Sequence, residues 1–255
     1  METIKDLVAA CRDASGPVVE TAERTAPYTY DEFVPNVWKA GNLLGHYGVH
    51  PGAAVTVVAG PKEAGPADHT QRIDAADPLF AILGATMVGA TARLEPVEPV
   101  DSRALVLPAG WVDRYETTAR CSRLAYGGPP TEADVVHFEE EMWSENPIEP
   151  PERVGADDPA LVDGDGEYSH GELLAAAGGV VEDYDLAAGD RIALDAPMRE
   201  VGAVVALLAA ARAEATLVVG EAVTGDLTVT DAENEREGET TVGALTASLR
   251  DTRRA

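Results

Sequence analysis

DDPALVDGDGEYSHGELLAAAGGVVEDYDLAAGDRIALDAPMREVGAVVALLAAARAEATLVVG, Asp157 to Gly220, carries the clearest alternation of strand and helix signals in the chain. Asp163-Gly164-Asp165-Gly166-Glu167 has the composition of a tight hairpin turn, with apolar residues before it and Tyr168 after it. Ser169-His170 then stands at the start of a helix. Gly189-Asp190-Arg191 turns the chain into a strand near Ile192. Val201–Ala211 is apolar on every side and reads as a buried helix, too short to cross a membrane. Ala215-Thr216 opens another strand. Hairpin, helix, strand, helix, strand is an alternating pattern that predicts a parallel sheet with helices on its faces.

The same order occurs earlier in the chain. Val18–Thr21 and Tyr28–Tyr30 read as a hairpin. Asp31–Tyr47 is amphipathic, with Phe33, Val37, Ala40, Leu44 and Tyr47 on one stripe, and Gly48 stops it. Ala54–Ala59 reads as a buried parallel strand. Asp77–Val88 is the next helix, and Thr91–Leu94 and Arg103–Leu107 are strands. Tyr28-Thr29-Tyr30-Asp31-Glu32-Phe33 aligns with Tyr168-Ser169-His170-Gly171-Glu172-Leu173, and Ala90-Thr91 with Ala215-Thr216. The stretch Lys62–Ala76 is extra in the first half and reads as a solvated surface loop. A short helix over Gly110–Ala119 and a strand over Ser122–Tyr126 follow. Next comes a helix capped by Thr131 that runs to Trp143, with Glu139-Glu140-Glu141 exposed. The Pro-rich run Pro147-Ile148-Glu149-Pro150-Pro151 marks a boundary. The expected division is a first α/β subdomain over 1–146, a linker over 147–158, and a second α/β subdomain over 159–255. The second would end in a strand over Gly225–Thr230, an acidic loop over Asp231–Glu239 and a helix over Thr241–Arg250. The N-terminal Thr3–Ala14 is an amphipathic helix and not a signal peptide.

These landmarks resemble the N-terminal domain of the adenylate-forming (AMP-binding) acyl-CoA synthetase family. In the first half the match rests on Tyr28–Phe33, Gly48-Val49-His50-Pro51-Gly52 and Gly89-Ala90-Thr91. In the second it rests on Asp157-Asp158-Pro159-Ala160-Leu161, Ser169-His170, Gly189-Asp190-Arg191, Ala196-Pro197 and Ala215-Thr216. The resemblance runs from about Val18 to Val219 and implies an α/β fold of two similar parallel-sheet subdomains with flanking helices. It also implies a Gly/Ser/Thr-rich phosphate loop between Leu161 and Ser169, where this chain has only Asp163–Tyr168. The family's later motifs, including its C-terminal domain, have no counterpart after Val219. The chain therefore looks like a truncated, degenerate form of that domain.

Adenylation requires backbone N–H groups that cradle ATP phosphates, and a cation against the developing charge. Asp163, Asp165 and Glu167 place three carboxylates where a triphosphate would lie, with no lysine beside them. An EF-hand reading of the same residues fails, because its sixth position is Tyr168 and its twelfth is Leu174. No catalytic residue and no metal ligand are assigned, and no cofactor is implied: ATP, AMP or CoA would lack a phosphate-binding loop. A remnant ligand groove is assigned to Tyr168, Ser169, His170 and Arg199. Arg199 is there as a carboxylate partner, but it also suits the solvated first turn of a helix. Lys62, His69 and Arg72 are a weaker ligand-binding trio in the inserted loop. His46 and His50 look structural.

The 255 residues include 45 Asp and Glu against 19 Lys and Arg, for a formal charge of −26, and only three are lysine. Such a charge suits a cytoplasmic protein of a salt-rich interior, where a short screening length removes the self-repulsion. It excludes direct nucleic-acid binding, which needs a Lys/Arg face that Arg253-Arg254 does not supply. Cys11 and Cys121 have no partner at metal-ligand spacing and are expected reduced. The expected function is a non-catalytic binding or regulatory protein that pairs with itself or with an intact synthetase chain. The alternatives are a nucleotide-, CoA- or acyl-binding protein, and one part of a split acyl-CoA synthetase.

Overall fold

The computed structural model describes residues 1–164, 166–232, 238–246 and Leu249. The chain opens with α1 (Ile4–Ala10), capped by Thr3 through a capping box with Asp6 and continued by one 3-10 turn, Cys11–Asp13. β1 (Pro17–Thr21) and β2 (Tyr28–Thr29) form a hairpin that leads into α2 (Tyr30–His46). Then come β3 (Ala54–Val57), α3 (Asp77–Met87), β4 (Thr91–Arg93), β5 (Ala104–Pro108), β6 (Ser122–Tyr126), β7 (Val135–His137) and α4 (Phe138–Ser144). A second hairpin, β8 (Pro159–Asp163) and β9 (Gly166–Ser169), leads into α5 (His170–Asp183). β10 (Arg191–Asp195), α6 (Val201–Ala213), β11 (Thr216–Val219), β12 (Leu227–Thr230) and β13 (Thr240–Thr241) complete the order.

Two sheets result. One has seven strands in the order β7-β6-β5-β3-β4-β8-β9, and the other has six in the order β13-β12-β10-β11-β1-β2. All pairings are parallel except within the two hairpins, β1–β2 and β8–β9. The β5-β3-β4-β8-β9 run and the β12-β10-β11-β1-β2 run have the same pairing senses. In both hairpins the register slips at the residue after the opening proline, between Pro17 and Val19 and between Pro159 and Leu161.

Each hairpin is inserted into the other half's sheet: β1 pairs β11, and β8 pairs β4. The subdomain division at 147–158 therefore does not coincide with the division between the sheets. One continuous core runs from Ile4 to Leu249 and includes residues of both sheets. The proline-rich segment is strapped along α2 and α1. Asn42 Nδ2 donates to the Asn146 and Ile148 carbonyls at 3.0 and 2.8 Å. Lys5 Nζ donates to the Pro150 carbonyl, and to that of Glu152 at 2.7 Å.

The interior follows from composition. β5 and β11 are buried along their whole length, as parallel strands covered on both faces must be. α3 is buried at every position, between α2 and the seven-stranded sheet. α6 packs between α5 and the six-stranded sheet. α2 presents Phe33, Val37, Ala40 and Leu44 to the core, with Tyr47 at its edge.

Three sequence expectations are corrected here. β7 interrupts the predicted Thr131–Trp143 helix, because Val135–His137 pairs with β6, and only Phe138–Ser144 is helical. Thr240–Thr241 is a strand paired to β12, and Ala244–Thr246 is a 3-10 turn. The remainder of the predicted closing helix, with much of the acidic loop before it, lies outside the described residues. The Lys62–Ala76 insertion is not a free surface loop. Lys62 N donates to Asp74 Oδ1 at 2.7 Å, Trp111 Nε1 to the Gly65 carbonyl at 3.1 Å, and Met198 N to the Gln71 carbonyl at 3.1 Å. Arg72 bridges Asp195 and Asp231 of the six-stranded sheet's side. The loop thus ties the two sheets together at one end.

Candidate functional site

The sequence-assigned groove residues have mostly structural places. Tyr168 is buried in β9 opposite Leu161. Ser169 caps α5: its Oγ accepts from Glu172 N, and its own N–H donates to the Glu172 carboxylate at 2.8 Å. His170 is fully buried, and its Nδ1 accepts the N–H of Ile4, the first amide of α1, at 3.3 Å. Burial pushes its pKa down to about 4, so the ring is neutral. Arg199 is exposed in the turn before α6.

The hairpin turn between β8 and β9 closes with Asp163 opposite Gly166. Asp163 Oδ1 accepts from Gly166 N at 3.1 Å, and Oδ2 accepts from Val201 N, the first amide of α6, at 2.8 Å. A helix N-terminus is a natural phosphate site, and here a buried carboxylate of the chain's own already occupies it.

A different opening is built where β3 and β7 end, the side of a parallel sheet at which ligands are usually held. It is a cavity of about 580 Å³ lined by Glu23, Arg24, Tyr28, Lys62, Asp77, Phe80, His137, Glu139 and Trp143, among others. Glu23 comes from the β1–β2 loop and Lys62 from the segment after β3. Asp77 starts α3, where its charge suits the positive helix end. His137 ends β7, and Glu139 lies in the first turn of α4.

Lys62 Nζ is 2.8 Å from Glu23, 3.5 Å from Asp77 and 3.6 Å from Glu139. Burial alone would lower the Lys62 pKa, but the three carboxylates outweigh it and hold the ammonium above its ordinary value. Burial pushes Asp77 up, to about 7; Lys62 pulls it back only in part, and Glu139 and Glu23 push it further. The Lys62 rise comes from the three carboxylates around it, whereas the Asp77 rise comes first from burial, which one shared ammonium offsets only in part. Arg24 lies 3.8 Å over the Tyr28 ring and pairs with Glu32 at 3.4 Å.

Of these groups only Lys62 was singled out from sequence, and its companions there are dispersed. His69 Nδ1 is 2.9 Å from Arg114, and Arg72 is on the other sheet's side. Glu139, expected exposed with its neighbours, turns inward and accepts from Gly127 N at 2.8 Å, while Glu140 stays in solvent. Glu23, Asp77 and His137 were missed. The available signals were the hairpin loop for Glu23, the strand end for His137 and the helix start for Asp77.

No family model matches the sequence, and no curated protein does either. Solved structures do match. The N-terminal domain of FACL13 from Mycobacterium tuberculosis superposes with a TM-score of 0.66 at 16% identity, over 98% of this chain and 61% of that one. A fatty acyl CoA synthetase of Mycobacterium tuberculosis gives 0.67 at 16%, over 98% and 48%. A long-chain-fatty-acid-CoA ligase from Archaeoglobus fulgidus gives 0.66 at 15%, over 98% and 50%. The chain thus has the fold of the N-terminal domain of acyl-CoA synthetases, and it spans about half the length of the full ligases it resembles.

Proposed function

We propose that this chain is a non-catalytic binding or regulatory protein built on the acyl-CoA synthetase N-terminal fold. The observation that carries the reading is Asp163. In place of a loop of free N–H groups, the β8–β9 connection is a closed turn whose carboxylate takes the α6 N-terminal amide. A triphosphate brought there would meet a fixed negative charge and find the helix amide already satisfied. The cavity bounded by Lys62, Asp77 and Glu139 supports binding as the remaining role, because it is large enough for a small molecule.

The test is an ATP–pyrophosphate exchange assay with a panel of carboxylic acids, paired with thermal melts in molar KCl with ATP–Mg²⁺, AMP, CoA and short acyl-CoAs. The expected result is no exchange and no stabilisation by ATP or AMP. A ligand at about 100 times its dissociation constant would add nearly 3 kcal/mol, a visible shift. Exchange above background overturns the non-catalytic reading, and a shift with ATP or AMP without exchange moves the assignment to a nucleotide-binding protein. A shift with CoA alone moves the assignment to a CoA-binding protein.

A further inference from the structure

We propose that the cavity at the ends of β3 and β7 binds a small organic cation, an ammonium or guanidinium carried on an apolar body, with Asp77 and Glu139 as its charged partners. The proposal rests on the reading of the chain as a binding protein and names the ligand class of that site.

The first argument is a charge deficit inside the cavity. Lys62 faces Glu23, Asp77 and Glu139 alone, while the nearby Arg24 is engaged by Tyr28 and Glu32. The second argument is independent of that count. Asp77 is 4% exposed, lines the cavity, and its Oδ2 accepts no hydrogen bond. Lys62 Nζ, 3.5 Å from it, is spread over three acceptors and sits closest to Glu23. Glu139 Oε2, also buried, accepts none either, with His137 Nε2 at 3.3 Å. Buried carboxylate oxygens that have ion-pair neighbours but no well-aligned donor are costly, and a ligand bearing N–H groups on a positive charge reduces that cost.

The walls specify the rest of the ligand. Tyr28, Phe80 and Trp143 contribute aromatic surface to the same cavity. Trp143 is 59% exposed, where the cavity meets solvent, and carries Lys39 Nζ 5.2 Å from its ring. Aromatic faces beside carboxylates are the usual surroundings of bound organic cations. An anion is disfavoured by the same carboxylates. Among the described residues no group of three or more side chains is arranged to hold a metal ion.

The experiment is isothermal titration calorimetry of the full chain at pH 8 with tyramine, phenethylamine and agmatine. N-acetyltyramine serves as the neutral control and phenylacetate as the anionic one. Tyramine and phenethylamine carry a single charge, which limits loose binding to the acidic surface. The expected result is saturable one-to-one binding of the amines and none of either control. Asp77→Asn and Glu139→Gln should each weaken binding by about 10-fold or more, and the surface variant Asp183→Asn should not. Melting curves confirm that each variant is folded; because both replacements are near-isosteric, at least one folded variant is expected.

Equal binding by the neutral control, equal loss in Asp183→Asn, or no amine binding at millimolar concentration overturns the proposal. So does binding of Lys-containing peptides alone, which would make the site a protein-docking one. If amines fail while pyrophosphate exchange is also absent, the cation proposal falls and the non-catalytic reading stands.

Discussion

At the scale of single residues, two buried titratable groups act in opposite directions over one pH range. His170 is neutral in the fold, with a pKa of about 4 against about 6.5 in the unfolded chain. The unfolded chain takes up the proton first, so stability that is full above pH 6.5 is lost as pH falls towards 4, by up to about 3 kcal/mol. Asp77 has a folded pKa of about 7 against 3.8. Its contribution is full below 3.8 and lost as pH rises through 7, because the ionised, under-compensated carboxylate then burdens the fold. Urea unfolding at pH 4, 6 and 8 separates the two. Asp77→Asn is expected to gain about 1–2 kcal/mol at pH 8 and nothing at pH 4, since Lys62 keeps Glu23 and Glu139 as partners. With Asp77 removed, the rise in stability from pH 4 to 6.5 due to His170 becomes steeper. A loss of stability in Asp77→Asn at pH 8 would contradict the charge account of the cluster.

At the scale of elements, the helices are positioned by contacts that short side chains make possible. Asp163 joins the β8–β9 turn to the start of α6 through two backbone amides. Asp163→Ala is expected to cost about 2 kcal/mol, as loss of a helix cap and of a buried acceptor does. Asp163→Asn, which keeps one acceptor oxygen, should cost less. Chemical denaturation at neutral pH reads both. α2 and α3 cross at Gly41 and Gly84: a Cβ on Gly84 would lie 2.8 Å from Gly41 N and 2.9 Å from the Ala40 Cβ. Gly84→Val must push two helix backbones apart and is expected to cost about 3 kcal/mol. The same substitution at Gly45, whose Cβ would meet nothing within 4 Å, should be near neutral or slightly stabilising, because valine is the better helix former of the two.

For the whole molecule, the formal charge is −26, and so large an excess of one sign repels itself in the compact state. Among the described residues the Lys and Arg side chains in ion pairs are those of Lys5, Arg24, Lys62, Arg72, Arg93, Arg120, Arg123 and Arg191, against 45 acidic side chains in the sequence. Screening should therefore relieve more repulsion than it removes attraction. Thermal melts from about 0.05 to 1 M KCl, a range over which the screening length falls from above 10 Å to about 3 Å, are expected to show a steady rise in Tm. A flat or falling trend would mean that the specific ion pairs outweigh the net charge. Among the described residues no helix is long and apolar enough to cross a membrane.

The α/β class, the hairpin turn at Asp163–Gly166 and the two capped helices after the hairpins were all legible in the sequence. They depend on local signals: alternation of apolar runs, Asp-Gly turn chemistry, and Thr29 with Glu32 or Ser169 with Glu172 at capping spacing. The exchange of the hairpins between the sheets was not legible. A strand's hydrophobicity says that it is buried and does not say beside which strand. Val135–His137 read as helix because its neighbours favour helix, and pairing with β6 overrode that preference. The candidate site depended most on tertiary structure. Glu23, Lys62, Asp77 and Glu139 are far apart in the chain and individually resemble ordinary surface charges. Only packing brings three carboxylates and one ammonium into a shared, half-buried space. That proximity, through low solvent access and incomplete charge balance, turns unremarkable residue types into a site.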